Sequence, residues 1–382
     1  MRSLLVEITK DSLMNAIQYV IKAVAANSPI PILQGIHIQA GADGVTFTAS
    51  NTSLTIQSII VQDDVSLTVK RTGAIVIPSR YFHDIIRKFN DDKVILEIKE
   101  PMILSIVSGH SQLRLCGMDP TEFPSIDDGK AFPSTKLRIN TSLLRSTIKQ
   151  LAIVASTSET SPILTGVSLE CSNDCLNLIA TDGVRLAYRA LNLEDAAINS
   201  VNVIIPAKNL YELSKMLNKA DETTEIEVIN NRVNFTTNGL KVESALIEGT
   251  FPSIINVIPQ SYMCEIAVDT ACLLKAVECV TVMAREQVIR LVANADTLKL
   301  LSKTADVGDI QNEIPLLEMG GEEFVVSLNG KFFIDILRNM DCASVRLRYA
   351  GKTSPIVVLP DDSLMSTLFL ITPVMTCEPY YK

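Results

Sequence analysis

The chain has 382 residues, of which 47% are hydrophobic, and a formal net charge of −9 at pH 7. This size allows several buried cores, and the composition is typical of a globular protein. The acidic balance argues against binding a polyanion over the whole surface. Without a bilayer-spanning apolar run or a signal-peptide pattern, we expect a cytoplasmic protein that does not bind membranes.

Helical patterns of similar sequence begin at three places along the chain, each after an apolar strand-like segment. The apolar residues at the ends of these segments are 131 and 129 positions apart, at Ile8, Ile139 and Val268. A repeat of this length is a domain rather than a solenoid unit. We therefore predict three similar domains, at residues 1–128, 129–258 and 259–382.

Each repeat contains two helical patterns separated by runs in which apolar and polar residues alternate. The run Val94–Ile98 is typical of a half-buried antiparallel strand. We predict an α+β fold in which every domain packs two helices on antiparallel sheets. The six predicted helices cover residues 10–25, 79–89, 141–154, 207–219, 270–284 and 330–340.

Basic residues are concentrated in the predicted helices. These segments contain thirteen basic and five acidic side chains, a net charge of +8, so the rest of the chain carries −17. Lys and Arg side chains gathered on helices suit diffuse contact with nucleic-acid phosphates, which does not depend on base sequence. The alternative is an ordinary solvated helix face of mixed charge.

Motifs for catalysis are incomplete. Ser146 and Lys149 have the spacing of the Ser-x-x-Lys motif of penicillin-recognising enzymes, but the companion motifs are missing. Asn329-Gly330-Lys331 resembles the end of a phosphate-binding loop, yet Val325 occupies the place of its leading glycine. The eight cysteines and three histidines follow no metal-ligand spacing. We predict a protein without catalytic site, metal or cofactor.

Three segments, together with the triplicated plan, carry a resemblance to a known family. They are Ala180–Ala187 (Ala-Thr-Asp-Gly-Val-Arg-Leu-Ala), Glu122–Ile126 (Glu-Phe-Pro-Ser-Ile) and Leu368–Val374 (Leu-Phe-Leu-Ile-Thr-Pro-Val). The chain resembles the bacterial DNA polymerase III beta subunit, the beta sliding clamp, over its full length. The resemblance implies the DNA clamp fold, in which each chain is half of a closed ring with helices lining the hole.

The resemblance also implies a function and partners. Two copies would join head to tail, encircle duplex DNA without reading its sequence, and tether DNA polymerase and repair factors for processive replication. Its implied partners are duplex DNA, a second copy of the chain, the DNA polymerase III alpha subunit, the clamp loader and other clamp-motif proteins. The alternative function is a clamp-like peptide-binding adaptor that is poorly loaded on DNA.

Three sets of site residues follow from the resemblance. The basic residues expected to line the DNA are Lys22, Arg80, Arg145, Lys149, Lys208, Lys215 and Lys331. A groove for a short, partly apolar peptide ending in Leu or Phe is expected from Leu164, Thr181, Gly183, Val184, Arg185, Leu186, Pro252, Val257, Leu370, Ile371, Pro373, Val374 and Met375. The dimer interface is expected at Leu113, Leu115, Val282 and Met283.

The chain departs from the family pattern at three of its positions. Asn27 and Asn256 stand where the family usually has basic residues, and Met375 replaces the usual arginine after the Pro-Val pair. These departures weaken one expected DNA contact and alter the groove. They indicate a divergent or second clamp whose set of partners differs from that of the main replicative clamp.

Overall fold

The computed structural model describes residues 4–63, 65–124, 135–172, 174–193, 200–218, 220–254, 256–304, 308–361 and 367–375. The chain forms two compact units. Unit 1 consists of Met1–Leu144 and Glu212–Leu246, and unit 2 of Arg145–Tyr211 and Ile247–Lys382. Within the described ranges, no helix has the length and apolar character needed to cross a membrane.

The predicted helices are confirmed. Each begins at its predicted residue and ends one to five residues earlier than predicted; α1, for example, tightens into a 3-10 turn at Ile21–Ala23. Side-chain caps fix several of the starts: Thr9, Asp269 and Asn329 each accept a hydrogen bond from a backbone N–H in the first helical turn. The helices are α1 (Lys10–Val20), α2 (Ser79–Lys88), α3 (Thr141–Ala152), α4 (Ala207–Met216), α5 (Thr270–Thr281) and α6 (Gly330–Arg338).

The strands are short and pair in antiparallel fashion. In chain order they are β1 (Leu5–Thr9), β2 (Gly35–Ala40), β3 (Gly44–Ser50), β4 (Leu54–Val61), β5 (Leu67–Arg71), β6 (Gly73–Pro78), β7 (Lys93–Glu100), β8 (Ile103–Ser108), β9 (Ser111–Cys116), β10 (Thr135–Asn140), β11 (Gly166–Ser172), β12 (Cys175–Thr181), β13 (Arg185–Asn192), β14 (Val201–Pro206), β15 (Thr223–Ile229), β16 (Arg232–Thr237), β17 (Leu240–Ala245), β18 (Cys264–Asp269), β19 (Val288–Ala293), β20 (Thr297–Thr304), β21 (Gly308–Pro315), β22 (Glu318–Gly321), β23 (Phe324–Asn329), β24 (Ser344–Tyr349), β25 (Ile356–Pro360) and β26 (Thr367–Ile371).

Among the described residues, each unit contains two sheets. In unit 1 the strand orders are β5-β1-β7-β8-β9 and β10-β15-β16-β17-β4-β3-β2-β6. In unit 2 they are β14-β11-β12-β13-β26-β25-β24-β18-β22 and β21-β20-β19-β23. The longer sheet of each unit is therefore built from two different repeats.

Two strand pairs join successive repeats. In unit 1, β17 of the second repeat pairs with β4 of the first, with Val242 opposite Ile56. In unit 2, β26 of the third repeat pairs with β13 of the second, with Leu186 opposite Leu370. Because each half of the second repeat is hydrogen-bonded to a neighbouring repeat, the chain divides within α3 and α4. The three predicted domain ranges stay a prediction, and their boundary at 128/129 lies outside the described residues.

The helices bury one face against the sheets. In α1, Leu13, Ile17 and Val20 are fully buried at helical spacing, and the helix packs on β3 and β4. In α5, Leu273 and Val277 are likewise buried, and that helix packs on α6, β20 and β21. The charged residues of α1 and α5 are exposed or half-exposed.

Candidate functional site

A cavity of about 210 Å³ opens in unit 2 beside the pairing of β13 with β26. Its floor belongs to an apolar cluster that includes the buried side chains of Leu186, Ile254 and Leu370. At its rim, Val184 is 43% exposed and Val257 46% exposed. An apolar cavity with exposed aliphatic side chains at its mouth suits the anchoring of an extended apolar segment.

The cavity brings together most of the predicted groove residues. Those that line it are Leu164, Thr181, Gly183, Val184, Arg185, Leu186, Pro252, Val257 and Leu370. The prediction missed further lining residues, which are Ser253, Ile254, Pro355 and Thr372. The signal for two of them was available, because they directly follow Pro252 in the repeated Phe-Pro-Ser-Ile segment.

The remaining predicted groove residues lie elsewhere in unit 2. Pro373, Val374 and Met375 line a second cavity of about 280 Å³, which they share with residues of β23 and with Arg290 and Lys352. The side chain of Ile371 is fully buried. Successive residues of a strand face opposite sides of the sheet, so Leu370 reaches the first cavity and its neighbour in β26 does not.

A tight turn between β12 and β13 shapes one wall of the cavity. The Oδ1 atom of Asp182 accepts hydrogen bonds from the backbone N–H groups of Val184 and Arg185, both at 2.9 Å. Gly183 has φ +89°, which favours glycine. The interpretation of Asp182-Gly183 as a hairpin turn is therefore confirmed, and the turn displays Val184 at the rim.

Arg185 is held by groups from three parts of the chain and is only 9% exposed. Its Nε donates to Asp182 Oδ2 at 3.0 Å, its Nη1 to Asp335 Oδ2 at 3.0 Å, and its Nη2 to the carbonyl oxygen of Ile153 at 2.6 Å. The guanidinium carbon lies 4.2 Å from the ring centroid of Phe332. All three nitrogens of this guanidinium thus have acceptors within the protein.

The corresponding junction in unit 1 has the same backbone and different chemistry. Thr55 precedes Leu186 by the repeat offset of 131 residues, and it pairs with Glu243 where Leu186 pairs with Leu370. Both pairs are buried. Since one junction presents a polar pair and the other an apolar pair, only the junction in unit 2 has an apolar floor at this position.

The predicted DNA-lining residues lie on or next to the helices. Arg80, Lys208 and Lys331 are exposed on α2, α4 and α6, and the described part of the chain places no acidic group within ion-pair distance of them. Arg145 and Lys149 are half-exposed on α3.

Two further lysines of this set interact with each other and with one acid in unit 1. The Nζ of Lys215 lies 2.8 Å from Oε1 of Glu212. Lys22 is half-buried, and burial lowers its pKa; nearby Glu212 opposes this shift and Lys215 adds to it. The positive charge of Lys22 is therefore stabilised by Glu212 and destabilised by its burial and by the second lysine.

The predicted interface residues lie at or beside sheet edges. Leu113 and Leu115 are half-exposed on β9, which ends the five-stranded sheet of unit 1. Val282, just after α5, is 84% exposed. Met283 lies close to Gly308, the first residue of the edge strand β21. A Cβ atom added to Gly308 would be 3.8 Å from the Cε of Met283. Both strands have one hydrogen-bonded neighbour strand among the described residues.

Possible metal ligands are not clustered in the part of the chain that the structure covers. Within those ranges, no group of three or more His, Cys, Asp or Glu side chains could hold a metal ion. Ser146 and Lys149 lie one turn apart on α3, as their spacing predicts.

Comparison with known proteins gives a consistent result over the whole chain. Residues 4–127, 138–253 and 255–371 match, in that order, the N-terminal, central and C-terminal domains of the DNA polymerase III beta subunit. The chain is 34% identical to a beta sliding clamp of Bacillus subtilis, over 97% of this chain and 99% of that protein. It is 32% identical to one of Staphylococcus aureus, over 97% and 98%. A crystal structure of the DNA polymerase sliding clamp from Bacillus subtilis superimposes with a TM-score of 0.92 at 33% identity, covering 98% of this chain and all of that one.

We predict that Gly183→Ala lowers the free energy of unfolding by about 1–2 kcal/mol, because alanine is strained at φ +89°. The new methyl group meets no atom within 4 Å, so any cost comes from the backbone alone. Equilibrium urea unfolding measures it. Gly320→Ala is the matched control, because its added methyl also meets open space and its φ is not in the positive range. Equal stability of the two variants would contradict the assignment of strain to the turn.

Proposed function

The chain belongs to the family of bacterial DNA polymerase III beta subunits, the beta sliding clamps, and we propose that two copies encircle duplex DNA and tether DNA polymerase and repair factors to it. It is a DNA sliding clamp with the three-domain clamp fold, and so a processivity factor. We also propose that the protein is cytoplasmic and has no catalytic site of its own. Its proposed partners are the DNA polymerase III alpha subunit, the clamp loader and other proteins with clamp-binding motifs.

The ring is supported by a similarity between two sets of strands: those that pair between repeats within the chain, and those that stand at the ends of its sheets. Strands β17 and β26 each end a repeat and pair with β4 and β13 of the preceding repeat. Strand β9 is the last strand of the first repeat, and β21 occupies in the third repeat the place of β4 and β13. Two copies joined from β9 to β21 and again from β21 to β9 would repeat the same pairing six times and close.

The apolar residues beside these edges support the same joint. Leu113 and Leu115 on β9 would meet Val282 and Met283 next to β21 of the second copy. Main-chain hydrogen bonds would then continue the sheet from one protomer to the other, and contact between the four side chains would exclude water from the joint.

The proposed DNA contacts are the basic side chains on the helices. A protein that slides must avoid strong contacts with particular bases, since each would hold it in place. Long side chains such as those of Arg80, Lys208 and Lys331 supply diffuse attraction to phosphates instead. Enclosure of the duplex then retains the clamp without high affinity.

The proposed peptide site is the apolar cavity beside β13 and β26. It offers an apolar floor, two exposed valines at its rim and few polar groups, which suits a short segment ending in Leu or Phe. Pro373, Val374 and Met375 border a neighbouring cavity, and we propose that the bound segment extends toward them.

Loading on circular DNA distinguishes the proposed clamp from the alternative function, a peptide-binding adaptor that is poorly loaded on DNA. A clamp placed on nicked circular DNA by its clamp loader should stay through gel filtration and leave when the circle is cut once. An adaptor would bind peptide and fail to co-elute with the circle. Retention that persists on linear DNA would reject enclosure.

We predict that Lys208→Glu combined with Lys331→Glu weakens duplex binding and leaves peptide binding unchanged. Each phosphate contact that is lost should reduce the slope of log affinity against log salt by about 0.9. Fluorescence anisotropy with a labelled duplex between 50 and 200 mM salt, a range in which such contacts have large effects, measures this slope. Lys93→Glu with Lys241→Glu, on strands β7 and β17, makes the same charge change outside the helices. If both double variants lose binding equally, the helix assignment is wrong.

We predict that Leu113→Asp converts the dimer to a monomer, because the joint would have to bury a carboxylate. Sedimentation equilibrium should give about twice the chain mass of 41.8 kDa for the unchanged protein and the single mass for the variant. Val65→Asp, at a side chain between β4 and β5 that is 83% exposed, should remain dimeric. A dimeric Leu113 variant would place the joint elsewhere.

We predict that Val257→Asp weakens peptide binding at least about tenfold, since a bound apolar side chain would lose its contact and face a charge. The measurement is fluorescence anisotropy of a fluorescein-labelled hexapeptide ending in Leu-Phe. Val61→Asp, an exposed valine at the end of β4, is the control. Unchanged affinity of the Val257 variant would exclude this cavity as the peptide site.

A further inference from the structure

We propose that Asp335, on α6 in the third repeat, is a positioning residue for the peptide groove, acting through Arg185 on the turn that displays Val184. The proposal rests on the groove being the peptide site and names a residue that does not line it. Its support is an uninterrupted series of contacts within unit 2.

The series begins at the carboxylate on α6. Asp335 Oδ2 accepts a hydrogen bond from Nη1 of Arg185 at 3.0 Å, and the same guanidinium donates through Nε to Asp182 Oδ2 at 3.0 Å. The other carboxylate oxygen of Asp182 accepts the backbone N–H of Val184. Three steps therefore connect a helix of the third repeat to the rim of the groove.

Charge balance shows that Asp335 is not needed to neutralise the arginine. Asp182 alone already gives the buried guanidinium one negative partner at 3.0 Å, and Asp335 adds a second. With both carboxylates the three groups sum to one negative charge. The second carboxylate therefore orients the guanidinium group. It holds Nη1 toward α6, with the guanidinium carbon 4.2 Å from the ring centroid of Phe332.

The first repeat shows that the turn itself folds without this arrangement. Asn51, which precedes Asp182 by 131 residues, accepts hydrogen bonds from the backbone N–H groups of Ser53 and Leu54 in the same way. The residue equivalent to Arg185 is Leu54, an uncharged and buried side chain. The Arg185–Asp335 pair is thus an addition at the junction that has an apolar floor, and turn formation does not depend on it.

A direct consequence concerns what the groove recognises. The three hydrogen bonds use three of the five guanidinium N–H groups of Arg185, one on each nitrogen, and so fix the orientation of this arginine beside the cavity that it lines. A carboxylate on the bound segment would have to displace Asp335 to reach the N–H of Nη1 that Asp335 now accepts. Loss of the Asp335 acceptor would free Nη1 and make the groove mouth both looser and more polar.

Two measurements on the full-length protein test the proposal. With a fluorescein-labelled hexapeptide ending in Leu-Phe, Asp335→Ala should weaken binding about tenfold. Asp335→Asn keeps an acceptor oxygen at the same place and should stay within about threefold of the unchanged protein. Asp341→Ala removes an exposed acid a few residues past the end of α6 and is the matched control. Equal losses in the Ala and Asn variants would show that charge, and not position, matters, and would overturn the proposal.

Hydrogen exchange of the free protein tests the same inference without peptide. In Asp335→Ala, the backbone amides of residues 182–186 should exchange several-fold faster than in the unchanged protein and in Asp341→Ala, because the turn loses its tie to α6. Unchanged exchange there would overturn the positioning role whatever the peptide does. If the unchanged protein fails to bind the hexapeptide while exchange still responds to Asp335, the peptide site fails and the positioning of the turn stands.

Discussion

Main-chain pairing between strands of successive repeats is the constraint on which the rest of this structure depends. A repeat that ended in a free sheet edge would expose a row of unpaired backbone groups. Here β17 on β4 and β26 on β13 satisfy these groups and fix the register between repeats. The same pairing makes the middle repeat belong half to unit 1 and half to unit 2. Shared sheets, rather than linkers, therefore determine how the chain divides.

The two junctions between repeats have similar backbone geometry. Their side chains therefore determine what each junction can bind. Both junctions have a tight turn held by an Asn or Asp side chain, and both bury the facing residue pair. At one junction this pair is Thr55 with Glu243, and at the other it is Leu186 with Leu370. The two junctions are thus similar scaffolds with different side chains, and the one with the apolar pair borders a cavity suited to aliphatic and aromatic anchors.

The fold was largely predictable because its signals are local and repeated. The repeated helical patterns located the start of every helix, and alternation indicated strands such as the one that contains Val94–Ile98. The helix ends were predicted too far along the chain, since the final turn depends on tertiary packing: after Val20 the chain tightens at Ile21–Ala23. The residue patterns by themselves do not indicate which strands pair between repeats, because strand partners distant in sequence leave no mark in a single sequence.

The groove was predictable where residues are neighbours in sequence and less so elsewhere. The segment around Gly183 and the residues near Pro252 line one cavity, and they remain predicted groove residues. Strand alternation turns Ile371 into the core, and the chain after β26 borders a different cavity. The contact between Arg185 and Asp335 joins residues 150 positions apart, so no spacing in the sequence indicates it.

The unlike character of the strands β9 and β21 determines the orientation of the assembly. If each of these edges joins the other, as the proposed ring requires, the twofold axis of the pair runs along the hole and the two rims are chemically different. The two cavities beside β13 and β26 would be related by that axis, so they would lie at the same height along it. A segment bound in either cavity of such a ring would therefore approach the enclosed duplex with the same polarity.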